Sequence, residues 1–194
     1  MPAAFLKNLI NRNRSVHGAD ARERRFVAVI DCILNQNARD AGAARFPAMN
    51  FELLKLCHEY DVGIIQMPCP EIAVLGFKRV RLPGQSIRDA LDTQSARQRC
   101  AEIANEIADR IEACLAAGDV LLAVLGGNPQ SPGCAVHDGD AGLLNKSGIL
   151  MQELEAEFRN RNLTATFKGI RDHDPELLEH DLQWLRDALF RQQQ

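Results

Sequence analysis

Four short apolar runs punctuate the chain, and the stretches between them place apolar residues at helical spacing. The runs are Phe26–Cys32, Val62–Met67, Val120–Leu125 and Leu163–Phe167. Their Val and Ile content, without clean two-residue alternation, predicts strands of a sheet covered on both faces. Between them, residues 50–60 open on Asn50 as an N-cap and place Phe51, Leu54 and Cys57 on one face, with Leu53, Leu56 and Tyr60 beside it. The strongest helix runs from about Gln94 to Ala117. Its stripe is Cys100, Ile103, Ala104, Ile107, Ile111, Cys114 and Leu115, and Gly118 is the stop. A third helix, about Lys146 to Arg159, turns Leu150, Met151, Leu154 and Phe158 inward. A C-terminal helix is capped by Asp174, starts on Pro175 and repeats Leu178, Leu182, Leu185 and Leu189. The first dozen residues predict one more short helix.

Strands that alternate with helices predict βα units, and right-handed crossovers put helices on both faces of a parallel sheet. The expected fold class is therefore α/β, a three-layer Rossmann-like or flavodoxin-like sandwich with a mainly parallel sheet. The expected organisation is a single domain over 1–194, with its core at about 26–170 and the C-terminal helix at about 174–193. Strand order is not readable from such a pattern.

Composition narrows the partners. Of 194 residues, 46% are hydrophobic and 25% charged, with a net charge of −3. This is the profile of a globular protein without the basic footprint of a nucleic-acid binder. Arg22, Arg24 and Arg25 are interleaved with Asp20 and Glu23 and read as a solvated face. No apolar run approaches the ~20 residues that cross a bilayer. Lys7 and Asn8 interrupt Phe5, Leu6, Leu9 and Ile10, so no signal-peptide core is present. A cytoplasmic protein is expected, with neither nucleic acid nor membrane as partner. The oligomeric state is left open.

Six cysteines follow: Cys32, Cys57, Cys69, Cys100, Cys114 and Cys134. In a cytoplasmic chain of this length reduced thiols are expected. Cys57, Cys100 and Cys114 fall on apolar helix faces, where cysteine acts as a small hydrophobe. The other three occupy another kind of position. Cys32 ends the first predicted strand, Cys69 follows the second in Pro68-Cys69-Pro70, and Cys134 follows the third after a stretch holding Gly126, Gly127, Gly133, Pro129 and Pro132. In a parallel sheet these strand ends share one edge, beside which open α/β folds bind ligands. Three thiolates on three loops lack the paired short spacing of structural zinc. They would leave one iron of a 4Fe–4S cluster, whose usual complement is four cysteines, without a protein ligand. Such an iron is a Lewis acid.

Cys32-Ile33-Leu34-Asn35-Gln36-Asn37, Cys69-Pro70-Glu71 and Ser131-Pro132-Gly133-Cys134 together resemble the 2-thiouracil desulfidase family, closest to a divergent branch with Asn-Gln-Asn after the first cysteine. The resemblance covers roughly residues 26–170. It implies a Rossmann-like fold and a 4Fe–4S cluster held by Cys32, Cys69 and Cys134. It implies a desulfidase that exchanges C=S for C=O on a small thiolated heterocycle, with Glu71 and Ser131 assisting. The chain departs from the family pattern at Gly133, where serine is usual, and the segment from about Arg171 onward lies outside the resemblance.

Two other readings use the same cysteines. Cys32 and Arg39 superficially resemble a thiol phosphatase or arsenate reductase loop, but six residues intervene where five are needed, and Asn35, Gln36 and Asn37 replace small residues. A non-catalytic iron–sulfur redox or sulfur-carrier protein is the other reading.

Overall fold

The computed structural model describes residues 20–140 and 142–191, so the helix expected in the first dozen residues lies outside it. In chain order the elements are β1 (Arg25–Ile30), α1 (Asp31–Leu34), α2 (Phe51–Glu59), β2 (Gly63–Met67), α3 (Pro70–Leu75), α4 (Ile87–Leu91), α5 (Gln94–Ala116), β3 (Val120–Gly126), β4 (Asp138–Gly139), β5 (Gly142–Leu143), α6 (Ile149–Asn160), β6 (Phe167–Gly169) and α7 (Pro175–Arg191). Four strands make an all-parallel sheet in the order β2-β1-β3-β6, and β4 and β5 form a separate antiparallel pair. Helices flank the sheet, with α5 packed on α6 and α2 on α7. This is the expected α/β sandwich.

The strand runs are apolar because they are buried on both faces. Val27, Ala28 and Val29 of β1, and Ala123, Val124 and Leu125 of β3, are fully excluded from solvent. The register aligns the strand ends: Ile30 pairs with Met67, Val29 with Leu125, and Gly126 with Gly169. Chain leaving β1, β2 and β3 therefore emerges on one edge.

The helices follow their stripes. Asn50 Oδ1 accepts from the Leu53 N–H at 3.2 Å and starts α2 as expected. Its buried face is Leu53, Leu56 and Cys57, whereas Phe51, expected inward, is 61% exposed. On α5 the buried stripe includes Ala96 and Ala108 and fades to half-buried Cys114 and Leu115. Gly118 ends it at φ +88°, a left-handed backbone that a side chain would strain. Leu150, Met151, Leu154 and Phe158 of α6, and Leu178, Leu182, Leu185 and Leu189 of α7, are buried as predicted.

Three boundaries are corrected. β1 stops at Ile30, so Cys32 sits in the short helix α1 and does not end the strand. The fourth strand is Phe167–Gly169 and shares only Phe167 with the predicted Leu163–Phe167. The Thr166 carbonyl still accepts from the Val124 N–H, but Leu163 and Ala165 pack against the core from outside the ladder. Finally, α6 begins at Ile149, not Lys146. Ser147 is held back by a reciprocal bond with His137, its Oγ accepting from the His137 N–H at 2.9 Å and donating to the His137 carbonyl at 3.1 Å. Among the described residues no helix is long and apolar enough to cross a membrane.

Candidate functional site

The loop after β1 is knitted by the Asn-Gln-Asn stretch. Gln36 is buried; its Nε2 donates to the Cys32 carbonyl at 2.7 Å and its Oε1 accepts from the Arg45 N–H at 2.9 Å. Asn35 Oδ1 accepts from the Asn37 N–H. These polar residues thus fold the loop that presents Cys32. They also settle a point of chemistry. The backbone N–H groups of Asn35, Gln36, Asn37, Ala38 and Arg39 all donate within the protein. None of the five remains to cradle an oxyanion, as a phosphatase-like loop would require.

The second loop is stiffened by its prolines, and Cys69 becomes the N-cap residue of α3 with Pro70 in the first turn. The third loop returns Cys134 to the sheet edge. Gly127 N–H donates to the Cys134 carbonyl at 2.7 Å, and Gly127 and Ala135 form a parallel bridge. The start of α6 secures it further: the Ile149 and Leu150 N–H groups donate to the Pro132 and Gly133 carbonyls, satisfying donors that a helix leaves unpaired. Two glycines are required by close approach. A Cβ on Gly127 would lie 2.8 Å from Cys134 Sγ and 3.2 Å from Ser131 Oγ. A Cβ on Gly133 would lie 2.6 Å from Pro70 Cγ, so the second and third cysteine loops touch there.

Cys32, Cys69, Cys134, Glu71 and Ser131 all line one cavity of about 270 Å³. All five predicted site residues are therefore brought together. Burial dominates their electrostatics. It pushes the Cys32 thiol up to about 11, with the Arg39 guanidinium pulling the other way. Burial also raises Cys69, opposed mainly by the Ile72 N–H. Cys134 is raised too, by burial and then by the neighbouring Cys32 and Cys69, against a hydrogen bond with Ser131. The three thiols are thus close enough that ionising one disfavours the next. Glu71 is likewise raised by burial, against the Arg79 guanidinium.

Several lining residues carried no signal in the sequence. Arg79 is itself buried and sits at φ +45°, a left-handed conformation uncommon for a residue with a side chain. Its Nε lies 3.3 Å from Glu71 Oε2, its Nη2 donates to the Ala38 carbonyl at 2.5 Å and lies 3.9 Å from Cys69 Sγ. Arg39 forms a buried ion pair, Nη2 to Asp172 Oδ2 at 2.6 Å, and its Nε has no hydrogen-bond partner. Asn128 and His173 complete that wall. From the sequence, Arg39 stands out only as the arginine of a phosphatase-like loop. His173 lies in the stretch beyond the resemblance.

Chemically, the donor set is three soft sulfurs facing one small cavity with the Arg39 and Arg79 guanidinium groups among its lining. Burial favours the protonated form of all three thiols. Thiolate ligation there needs a cationic centre, and sulfur donors select zinc, copper(I) or iron–sulfur clusters. Among the described residues no three His, Cys, Asp or Glu side chains are grouped to hold a single metal ion. A cluster, which binds each thiolate to a different iron, is a separate requirement, and three sulfur donors are its kind of ligand.

No family model matches the chain, and no solved structure matches it. An uncharacterized protein of Methanocaldococcus jannaschii is 28% identical over 140 residues, which are 72% of this chain and 81% of that protein.

Proposed function

We propose that this protein is an iron–sulfur-dependent desulfidase that replaces C=S by C=O in a small thiolated heterocycle of the thiouracil kind and releases sulfide. The observation that carries the reading is the convergence of Cys32, Cys69, Cys134, Glu71 and Ser131 on one cavity. The cofactor would be a 4Fe–4S cluster held by the three cysteines, with one iron not ligated by protein. Bound there, it would supply a Lewis acid for the soft sulfur of the substrate.

The reaction is hydrolytic. Thione and water become carbonyl and hydrogen sulfide, and no electron is gained or lost. Glu71 carries a proton between water and the departing sulfur; its burial moves its pKa toward the working range of such a group. Arg79 holds the Glu71 carboxylate in place from the side. Ser131 orients the water or the substrate by hydrogen bonding. The cavity suits a small molecule rather than a polymer or a lipid, and reduced thiols suit the cytoplasm.

The test is anaerobic purification and reconstitution, with iron, acid-labile sulfide and sulfide release measured on a panel of thiolated pyrimidines, purines and other thioamides. Cluster-bound protein that releases sulfide from a panel member supports the reading. Cluster-bound protein that leaves every member unchanged while cycling electrons moves it to the redox or carrier class.

A further inference from the structure

Hydrolysis of C=S handles protons at two places, on the attacking water and on the departing sulfur, and Glu71 is tied to Arg79 on one wall. We propose that His173 is a second proton-handling residue, accepting the proton of the attacking water at Nε2; this rests on the desulfidase reading above.

His173 follows β6 and lines the same cavity as the three cysteines. Its Nδ1 lies 2.7 Å from Asn128 Oδ1, and its backbone N–H donates to the same oxygen at 3.3 Å. The orientation of that amide is imposed from behind. Asn128 Nδ2 donates to Asp172 Oδ1 at 2.9 Å, and Asp172 Oδ2 takes the Arg39 guanidinium at 2.6 Å. A carboxylate paired with arginine only accepts, so Asn128 must turn its NH₂ toward Asp172 and its oxygen toward His173. An oxygen that already faces the imidazole can only accept, so the ring hydrogen is on Nδ1. In the neutral ring Nε2 then holds the lone pair.

Four side chains from three separate segments thus fix one tautomer on the cavity wall. A base oriented by a second group, and that group by a third, is how a general base is held ready. The step balances. As the carbon–oxygen bond forms, the π pair of C=S moves onto sulfur and one water proton passes to His173 Nε2. As the carbonyl forms, the carbon–sulfur bond breaks and sulfur leaves with the bonding pair. Glu71 carries the proton of the new hydroxyl to the sulfur and His173 gives up its own, so the sulfur departs as hydrogen sulfide and the imidazole returns to its neutral form.

The decisive variant is His173→Asn. Its amide nitrogen takes the place of Nδ1 and keeps the bond to Asn128, but nothing replaces the Nε2 lone pair. Reconstituted His173→Asn should keep its iron and its KM and lose about 10²–10⁴-fold in kcat. Added imidazole should restore part of the rate to His173→Ala. His180→Gln, on an exposed histidine of α7, should match wild type. Long-range ¹H–¹⁵N spectra of the protein as purified should show the His173 hydrogen on Nδ1. Full kcat in His173→Asn, or a hydrogen on Nε2 alone, overturns the assignment and leaves the desulfidase reading standing. No sulfide release by cluster-loaded wild type overturns both.

Discussion

Cys100 and Cys134 are both buried, at 0% and 7% exposure, but they sit in opposite company. Cys100 packs with Leu91 and Ile149 in a small apolar cluster between helices. Cys134 faces a cavity lined also by Cys32, Cys69, Glu71, Ser131, Arg39 and Arg79. Burial raises both thiols. What separates them is the polar machinery within reach, and that follows from position. A cysteine on the buried face of a helix meets the apolar face of another element, whereas one on a loop at the strand ends meets other loops, where the chain places its polar groups.

The comparison breaks first on iron content. Cys32→Ser, Cys69→Ser and Cys134→Ser should each remove most of the bound iron. Cys57→Ser, Cys100→Ser and Cys114→Ser should leave it intact, at a packing cost of about 1–3 kcal/mol where the hydroxyl is buried without a partner. Equal iron loss across all six, measured per protein after anaerobic reconstitution, would erase the division between the two groups.

On the cavity side alone, Glu71→Gln should keep the cluster and lose about 10²–10⁴-fold in rate, the usual worth of general acid–base catalysis. Ser131→Ala should lose less, because it orients without moving a proton. Steady-state sulfide release reads both.

The wall behind the cavity should be structural as well as functional. Asp172→Ala strands the buried Arg39 guanidinium, which is only 8% exposed. Leaving such a partner unpaired costs about 3–5 kcal/mol. Chemical denaturation should show this loss, while Asp92→Ala, on the half-exposed pair with Arg97, should change stability by no more than about 1 kcal/mol.

The smallest effect belongs to the helix cysteines and runs on pH. Burial pushes Cys100 up to about 11 and Cys57 up to about 12, from an ordinary value of 9.0. Above that ordinary value the unfolded thiols lose protons that the folded ones keep, so the unfolded state binds fewer protons. Stability is then fully present below about pH 9 and is lost as pH rises toward the folded values, by at most about 1.4 kcal/mol per pH unit for each thiol. Cys100→Ala should flatten this decline between pH 9 and about 11, and an unchanged slope in the denaturation midpoints would show that Cys100 is not the source.

The amino-acid sequence by itself determined the layers of this protein and the separation of its cysteines. Helix stripes such as Ile103, Ala104, Ile107 and Ile111, and strand runs such as Val27, Ala28 and Val29, are local patterns whose burial needs only neighbours three, four or one residue away. Placing Cys32, Cys69 and Cys134 on one edge needed only the parallel βα rule. The tertiary structure alone decided the strand order, the retreat of Cys32 into α1, and the walls of the cavity. Arg79 reaches Glu71 through a left-handed backbone turn that no periodicity marks. Arg39 meets Asp172 across 133 residues of chain, and Asn128 meets the same carboxylate across 44. A side chain that closes a polar network leaves no repeat in the sequence, because its partner is chosen by which loops the sheet carries to one place.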